Sequence, residues 1–162
     1  MAKFKIGNYQ GIKIDCWTAK DLVGLHYLMK QEGCPNSENL FSDTDKAIEL
    51  DEVQRRISRK HHADKKSSAD MLLHVNNRKL LLADAKFRLN NTKNLGSKEI
   101  AKKVSDSKAM VKSDYSFDNS FYILLTKKAA TPSNLNRLRR NVGNNPNYQF
   151  MDAVEFHKLF ED

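Results

Sequence analysis

Two apolar runs, Met71–Val75 and 80–87, flank Asn76-Asn77-Arg78 and form the clearest periodic signal in the chain. Asparagine tolerates the left-handed backbone that tight turns require, so this pattern predicts a β-hairpin. Its second arm carries Leu80, Leu81, Leu82, Ala83, Ala85 and Phe87 and is apolar on both faces. Such a run marks a central strand rather than an exposed edge.

Around the hairpin the pattern is mixed. Residues 3–6 and 11–17 alternate apolar and polar side chains about Gly7-Asn8, predicting a short strand pair. Thr18 is placed to cap a helix that carries Leu22, Leu25, His26 and Met29 on one stripe and stops at Gly33. After a loop over 33–43, a second helix is expected from about 45 to 60, with Leu50, Val53 and Ile57 as its buried stripe.

Downstream, Ile100, Val104 and Val111 recur at helical spacing over about 98–112, and 121–126 reads as a buried strand. Pro132-Ser133 opens a short basic helix, 148–151 a last short strand, and 152–160 an amphipathic helix. The middle of the chain therefore reads helix, strand, strand, helix, strand. That order implies the α/β class, with a mixed sheet flanked by helices.

Length and composition narrow the picture. A chain of 162 residues suits one domain over 1–162, and 40% hydrophobic with 30% charged residues lies in the globular range. Cys16 and Cys34 form no Cys-x-x-Cys pair and are expected to be reduced. No apolar stretch reaches the roughly 20 residues of a membrane span, and the first residues lack a secretory apolar run, so the expectation is a cytoplasmic protein with no membrane partner.

Charge points to a partner. A net +8 favours a polyanion, because clustered lysine and arginine displace counterions from phosphates. Arg55, Arg56, Arg59, Lys60, Lys65 and Lys66 lie in one dense segment and are the candidate nucleic-acid contacts, with a solvated face as the alternative. Lys102, Lys103 and Lys108, and later Arg137, Arg139 and Arg140, would extend such a surface. His61-His62 lacks an acidic or thiol partner at ligand spacing, and His74 is assigned no role.

The candidate chemistry sits at the base of the hairpin. If the hairpin turns about Asn77, residues whose numbers sum to about 154 face one another, which sets Asp70 opposite Asp84 with Cβ atoms about 5 Å apart. Lys86 lies two residues beyond Asp84, and the two-residue period returns it to the same face. Two carboxylates at that range repel unless a proton or cation sits between them, and hard divalent ions prefer such oxygens. A bound Mg²⁺ polarises a phosphate oxygen while a lysine steadies developing charge, which is the chemistry of phosphodiester hydrolysis.

Ala69-Asp70 followed by Asp84-Ala85-Lys86 resembles the split signature of the PD-(D/E)XK, or restriction-endonuclease-like, nuclease superfamily. That signature usually has proline before the first aspartate, where this chain has Ala69. The resemblance covers element order over about 45–126 and implies an αβββαβ core. It also implies a Mg²⁺-dependent endonuclease (Mn²⁺ being an alternative ion) with Asp70 and Asp84 as metal ligands, the Ala85 carbonyl as a further ligand and Lys86 as the catalytic lysine.

Family members often add an acidic residue from the helix before the hairpin. On the expected 45–60 helix, Glu49 lies about 70° from the centre of the buried stripe and Glu52 about 130°, which favours Glu49 for catalysis and metal binding, with Glu52 as the alternative.

The resemblance further implies DNA as the partner, and a homodimer wherever both strands are cut. Within the superfamily an RNA-cleaving, toxin-like nuclease is the alternative. Outside it stand a non-catalytic nucleic-acid-binding module and an interaction protein for an acidic partner.

Overall fold

The computed structural model describes residues 2–88 and 95–162. Among these the chain forms β1 (Lys13–Ile14), β2 (Leu22–Gly24), α1 (Leu25–Gln31), β3 (Lys46–Glu49), α2 (Leu50–Lys60), β4 (Met71–Val75) and β5 (Lys79–Ala85). There follow α3 (Ser97–Met110), β6 (Val111–Lys112), β7 (Ser116–Leu125), α4 (Pro132–Asn141), β8 (Tyr148–Asp152) and α5 (Ala153–Lys158).

Asn76 and Asn77 both adopt left-handed backbone, with φ of 54° and 59°, and close the β4–β5 hairpin. The turn sets the register: Met71 pairs with Ala83, Leu73 with Leu81 and Val75 with Lys79, each pair summing to 154. β5 then pairs with β7 in parallel, and β7 with β8 in parallel, completing a six-stranded mixed sheet in the order β2-β3-β4-β5-β7-β8.

Parallel neighbours cannot be joined by a tight turn, so each needs a crossover helix. α3 makes the first crossover and α4 the second. Both pack on the same face, as successive crossovers of one hand require.

The sheet is thus buried on both sides. Even-numbered residues of β4 and β5, such as Leu72, Leu80 and Leu82, pack with Leu50 and Val53 of α2, Ile100 of α3 and Leu138 of α4. Odd-numbered ones, such as Leu73, Leu81 and Ala83, pack with Leu25 and Met29 of α1 and Phe156 of α5. The result is an α/β domain of three layers, and among the described residues no helix is long and apolar enough to cross a membrane.

Three sequence expectations are corrected. The helix expected from 45 is two elements: 46–49 is a strand held by β2 on one side (Leu22 opposite Ile48) and β4 on the other (Ile48 opposite Leu72). Ala47 and Ile48 are both fully buried because each faces a different helical layer, which a periodicity argument cannot tell from a helix stripe. Thr18 caps only a 3₁₀ turn over Ala19–Asp21, its N–H donating to Asp21 Oδ2 at 2.8 Å, and α1 starts after β2. The N-terminal strand pair does not form either: Ile6 bridges Val75, and β1 pairs with β6.

Candidate active site

Asp70 immediately precedes β4 and Asp84 lies near the end of β5, so the hairpin register brings them side by side. The Asp70 N–H donates to Asp84 Oδ1 at 3.1 Å, and the Ala85 N–H donates to Asp70 Oδ2 at 2.8 Å. Asp84 points to the α3 face among Leu80 and Leu82, where it is only 2% exposed. A carboxylate this deep needs a compensating partner.

Two lysines supply it. Lys86 Nζ stands 3.4 Å from Asp84 Oδ2, and Lys103 Nζ of α3 donates to the same oxygen at 2.8 Å. Burial alone would lower the Lys103 ammonium, but Asp84 outweighs it and holds the amine well above its ordinary value. The Asp70 carboxyl is pushed up to about 8, first by burial and then by the neighbouring Asp84 charge. Two carboxylates and two amines therefore converge at one end of the sheet, where they can hold or pass a proton or admit a cation.

Glu49 takes a different place from the one the helical wheel implied. It ends β3 opposite Met71, so by parity it leans toward the other face of the sheet from Asp70. It nevertheless lines a recess of about 50 Å³ together with Asp70, Asp51 and Glu32. Burial, then the charges of Glu52, Asp21 and Asp51, raises its carboxyl above the usual range. Ala85 touches Asp70 through its amide. Glu52 is taken up by Arg55 at 2.6 Å.

The dense basic segment is largely neutralised within the chain. Arg55 pairs with Glu52 and Asp51, Arg56 with the buried Asp21, Lys60 with Asp15 at 2.9 Å and Lys65 with Asp51 at 2.5 Å. Arg59 and Lys66 are exposed. A run of like charges in sequence thus becomes a set of ion pairs, with Asp51 and Glu52 of α2 itself and with Asp15 and Asp21 of the turn against which α2 docks.

Sequence reasoning missed Lys103 as a member of the carboxylate cluster and Glu32 as a wall of the recess. Lys103 was legible in principle. Ile100 and Ser107 are buried on α3, and Lys103, three residues on from Ile100, shares their stripe. A lysine on a buried stripe must reach an anion. Glu32 follows α1 and comes close only through tertiary packing.

No protein-family model, curated protein or solved structure matches the chain. Among the described residues no three histidine, cysteine, aspartate or glutamate side chains converge closely enough to cage a metal by themselves.

Proposed function

We propose that the chain is a Mg²⁺-dependent nuclease that hydrolyses phosphodiester bonds, with DNA as its favoured substrate and a restriction-endonuclease-like core. The hairpin register carries this reading, since it sets the Asp70 and Asp84 carboxylates in contact with Lys86 alongside. Element order supports it: α1, the antiparallel β3, β4 and β5, the crossover helix α3 and the parallel β7 follow an αβββαβ order, with α2 inserted between β3 and β4.

The donor set suits a hard divalent cation. Mg²⁺ is commonly bound by one or two carboxylates and completes its shell with water and substrate phosphate, so a full protein cage is not needed. Asp70 and Asp84 would hold it, with Glu49 and the Ala85 carbonyl as further donors; Mn²⁺ would serve as well. Such an ion supplies Lewis acidity toward a phosphate oxygen and a more acidic bound water.

The remaining work falls to this chain's own groups. Lys86, a quarter exposed, is the amine able to face a substrate phosphate and steady its developing charge. Lys103 donates to Asp84 Oδ2 and keeps that carboxyl aimed from the α3 side. The raised Asp70 carboxyl must lose its proton before it can serve as a ligand, so metal binding should release a proton and strengthen as pH rises.

One observation favours a second reading, a nucleic-acid-binding module without catalysis: two lysines already compensate Asp84, as in a closed structural ion network. Incubation with plasmid, branched DNA and transfer RNA, each with Mg²⁺ or EDTA, separates the two. The nuclease reading expects Mg²⁺-dependent cleavage that Lys86→Ala abolishes while nucleic-acid binding persists. Binding without cleavage of any substrate by the parent chain would leave the binding module.

A further inference from the structure

The positive charge of the chain is not spread evenly. Residues 119–151 contain no aspartate or glutamate, yet they carry Lys127, Lys128, Arg137, Arg139 and Arg140. That stretch supplies five of the net +8, the rest of the chain holding 23 basic residues against 20 acidic ones. All five side chains are exposed, and among the described residues none of them pairs with a carboxylate. On α2, by contrast, Asp15, Asp21, Asp51 and Glu52 take up the basic side chains. The sequence places no acid beside α4, and tertiary packing brings none to it.

The fold arranges these charges in a line. Thr131 Oγ1 accepts from the Asn134 N–H at 3.3 Å and Pro132 opens the first turn, so α4 starts sharply after 126–131. Leu138 anchors the buried side of α4. Ser133, Asn136, Arg137, Arg140 and Asn144 recur at helical spacing on the opposite side and line a shallow groove of about 590 Å³. The groove offers hydroxyl, amide and guanidinium groups and no apolar side chain. From Ser133 to Arg140 the stripe runs about 10 Å, the axial rise of about three base pairs.

Its placement ties the stripe to the carboxylates. Ile123 of β7 lies beside Asp84, and the Lys86 N–H donates to the Leu124 carbonyl at 2.8 Å. The chain leaves β7 after Leu125, so Lys127 and Lys128 follow at the carboxylate end of the sheet. A crossover between parallel strands must return to the other end, so the α4 stripe starts near the carboxylates and leads away from them.

We propose that the outer face of α4, with Lys127 and Lys128 at its head, is the docking surface for duplex DNA and holds the phosphates of one strand. Guanidinium, amide and hydroxyl donors are the groups that contact phosphate oxygens. A protein partner would call for an apolar or aromatic interface core, and a membrane for an apolar anchor. Among the described residues the exposed large apolar side chains, Tyr27 and Val154, stand on α1 and α5 instead. The choice of DNA among polyanions rests on the nuclease reading, whereas the location of the surface rests on charge and placement.

The test is binding of a short labelled duplex to the full chain in EDTA, where metal-dependent hydrolysis is blocked, across a salt series. Arg137→Gln with Arg140→Gln should weaken binding by about tenfold or more and flatten the slope of log affinity against log salt by about 1.8. Each single substitution should give about half that change in slope. Glutamine is a good helix former and both arginines are exposed, so the unfolding midpoint should hold. Lys5→Gln with Lys30→Gln removes the same charge from exposed positions in the N-terminal segment and α1, and should leave the slope unchanged.

The proposal is overturned if the parent binds no duplex, if the arginine variants keep its affinity and slope, or if the lysine variant loses as much. Tighter binding of anionic lipid vesicles or of polyglutamate than of duplex at equal salt overturns it too, by marking a membrane or an acidic protein as the occupant. Failure of the nuclease reading looks different: duplex binding that depends on Arg137 and Arg140, with no Mg²⁺-dependent cleavage by the parent.

Discussion

Replacing Lys103 by methionine keeps the length of the side chain and removes its charge. Asp84, 2% exposed, then loses its 2.8 Å partner and retains only Lys86 at 3.4 Å. Removing one member of a buried pair costs about 3–5 kcal/mol when the other charge is left alone. Here Lys86 remains on the same oxygen and the Lys103 side chain is 16% exposed, so the expected loss is about 2–3 kcal/mol. For a chain of this size that corresponds to a fall in Tm of about 4–12 °C.

The assay is urea unfolding in EDTA across a double-mutant cycle with Asp84→Asn. In the Asp84→Asn background, Lys103→Met should cost less than about 1 kcal/mol, because no buried anion is then left uncompensated. A loss below about 0.5 kcal/mol in the parent background, or an equal loss in both, would refute the assignment of Lys103 to Asp84.

Asp70 predicts a pH dependence of opposite sign to the usual acidic residue. Its folded value near 8 lies above the unfolded value near 4, so it favours the folded state below about pH 4 and that contribution is lost as pH rises through 8. In EDTA the parent should therefore weaken between pH 5 and 9 relative to Asp70→Asn, and parallel curves for the two would contradict the burial argument. At the hairpin, Asn77→Val forces a β-branched residue into a backbone with φ of 59° and should cost about 1–2 kcal/mol by chemical unfolding, whereas Asn77→Gly should cost little.

The hairpin was legible because everything that defines it is local: two asparagines at the turn, a two-residue period and apolar strands on either side. From these the 154 sum, and with it the meeting of Asp70 and Asp84, follows directly. The 46–49 strand was not legible, because Lys46-Ala47-Ile48-Glu49 becomes extended only through pairing with residues more than twenty positions away on each side. Glu49 was consequently read from the wrong geometry, although the strand end still brings it to the recess beside Asp70.

The pairing of the charges was only partly legible for a related reason. The basic segment reads as a phosphate-contacting or solvated face in one dimension; Asp51 and Glu52, which pair with Arg55 and Lys65, are local, whereas Asp15 and Asp21, which pair with Lys60 and Arg56, come from a turn some forty residues earlier. Lys103 differs: its place on the Ile100–Ser107 stripe was readable, but the anion it reaches, Asp84, is brought to it only when α3 folds back over the end of β5.

The most direct test of the central claim is Mn²⁺ binding by the metal-free chain, followed through loss of the free-ion paramagnetic resonance signal at pH 8.5. The parent should bind an ion that Asp70→Asn and Asp84→Asn each fail to bind while remaining folded. Retention of the same Mn²⁺ by all three proteins, or none by the parent, would mean that the two carboxylates do not share a cation.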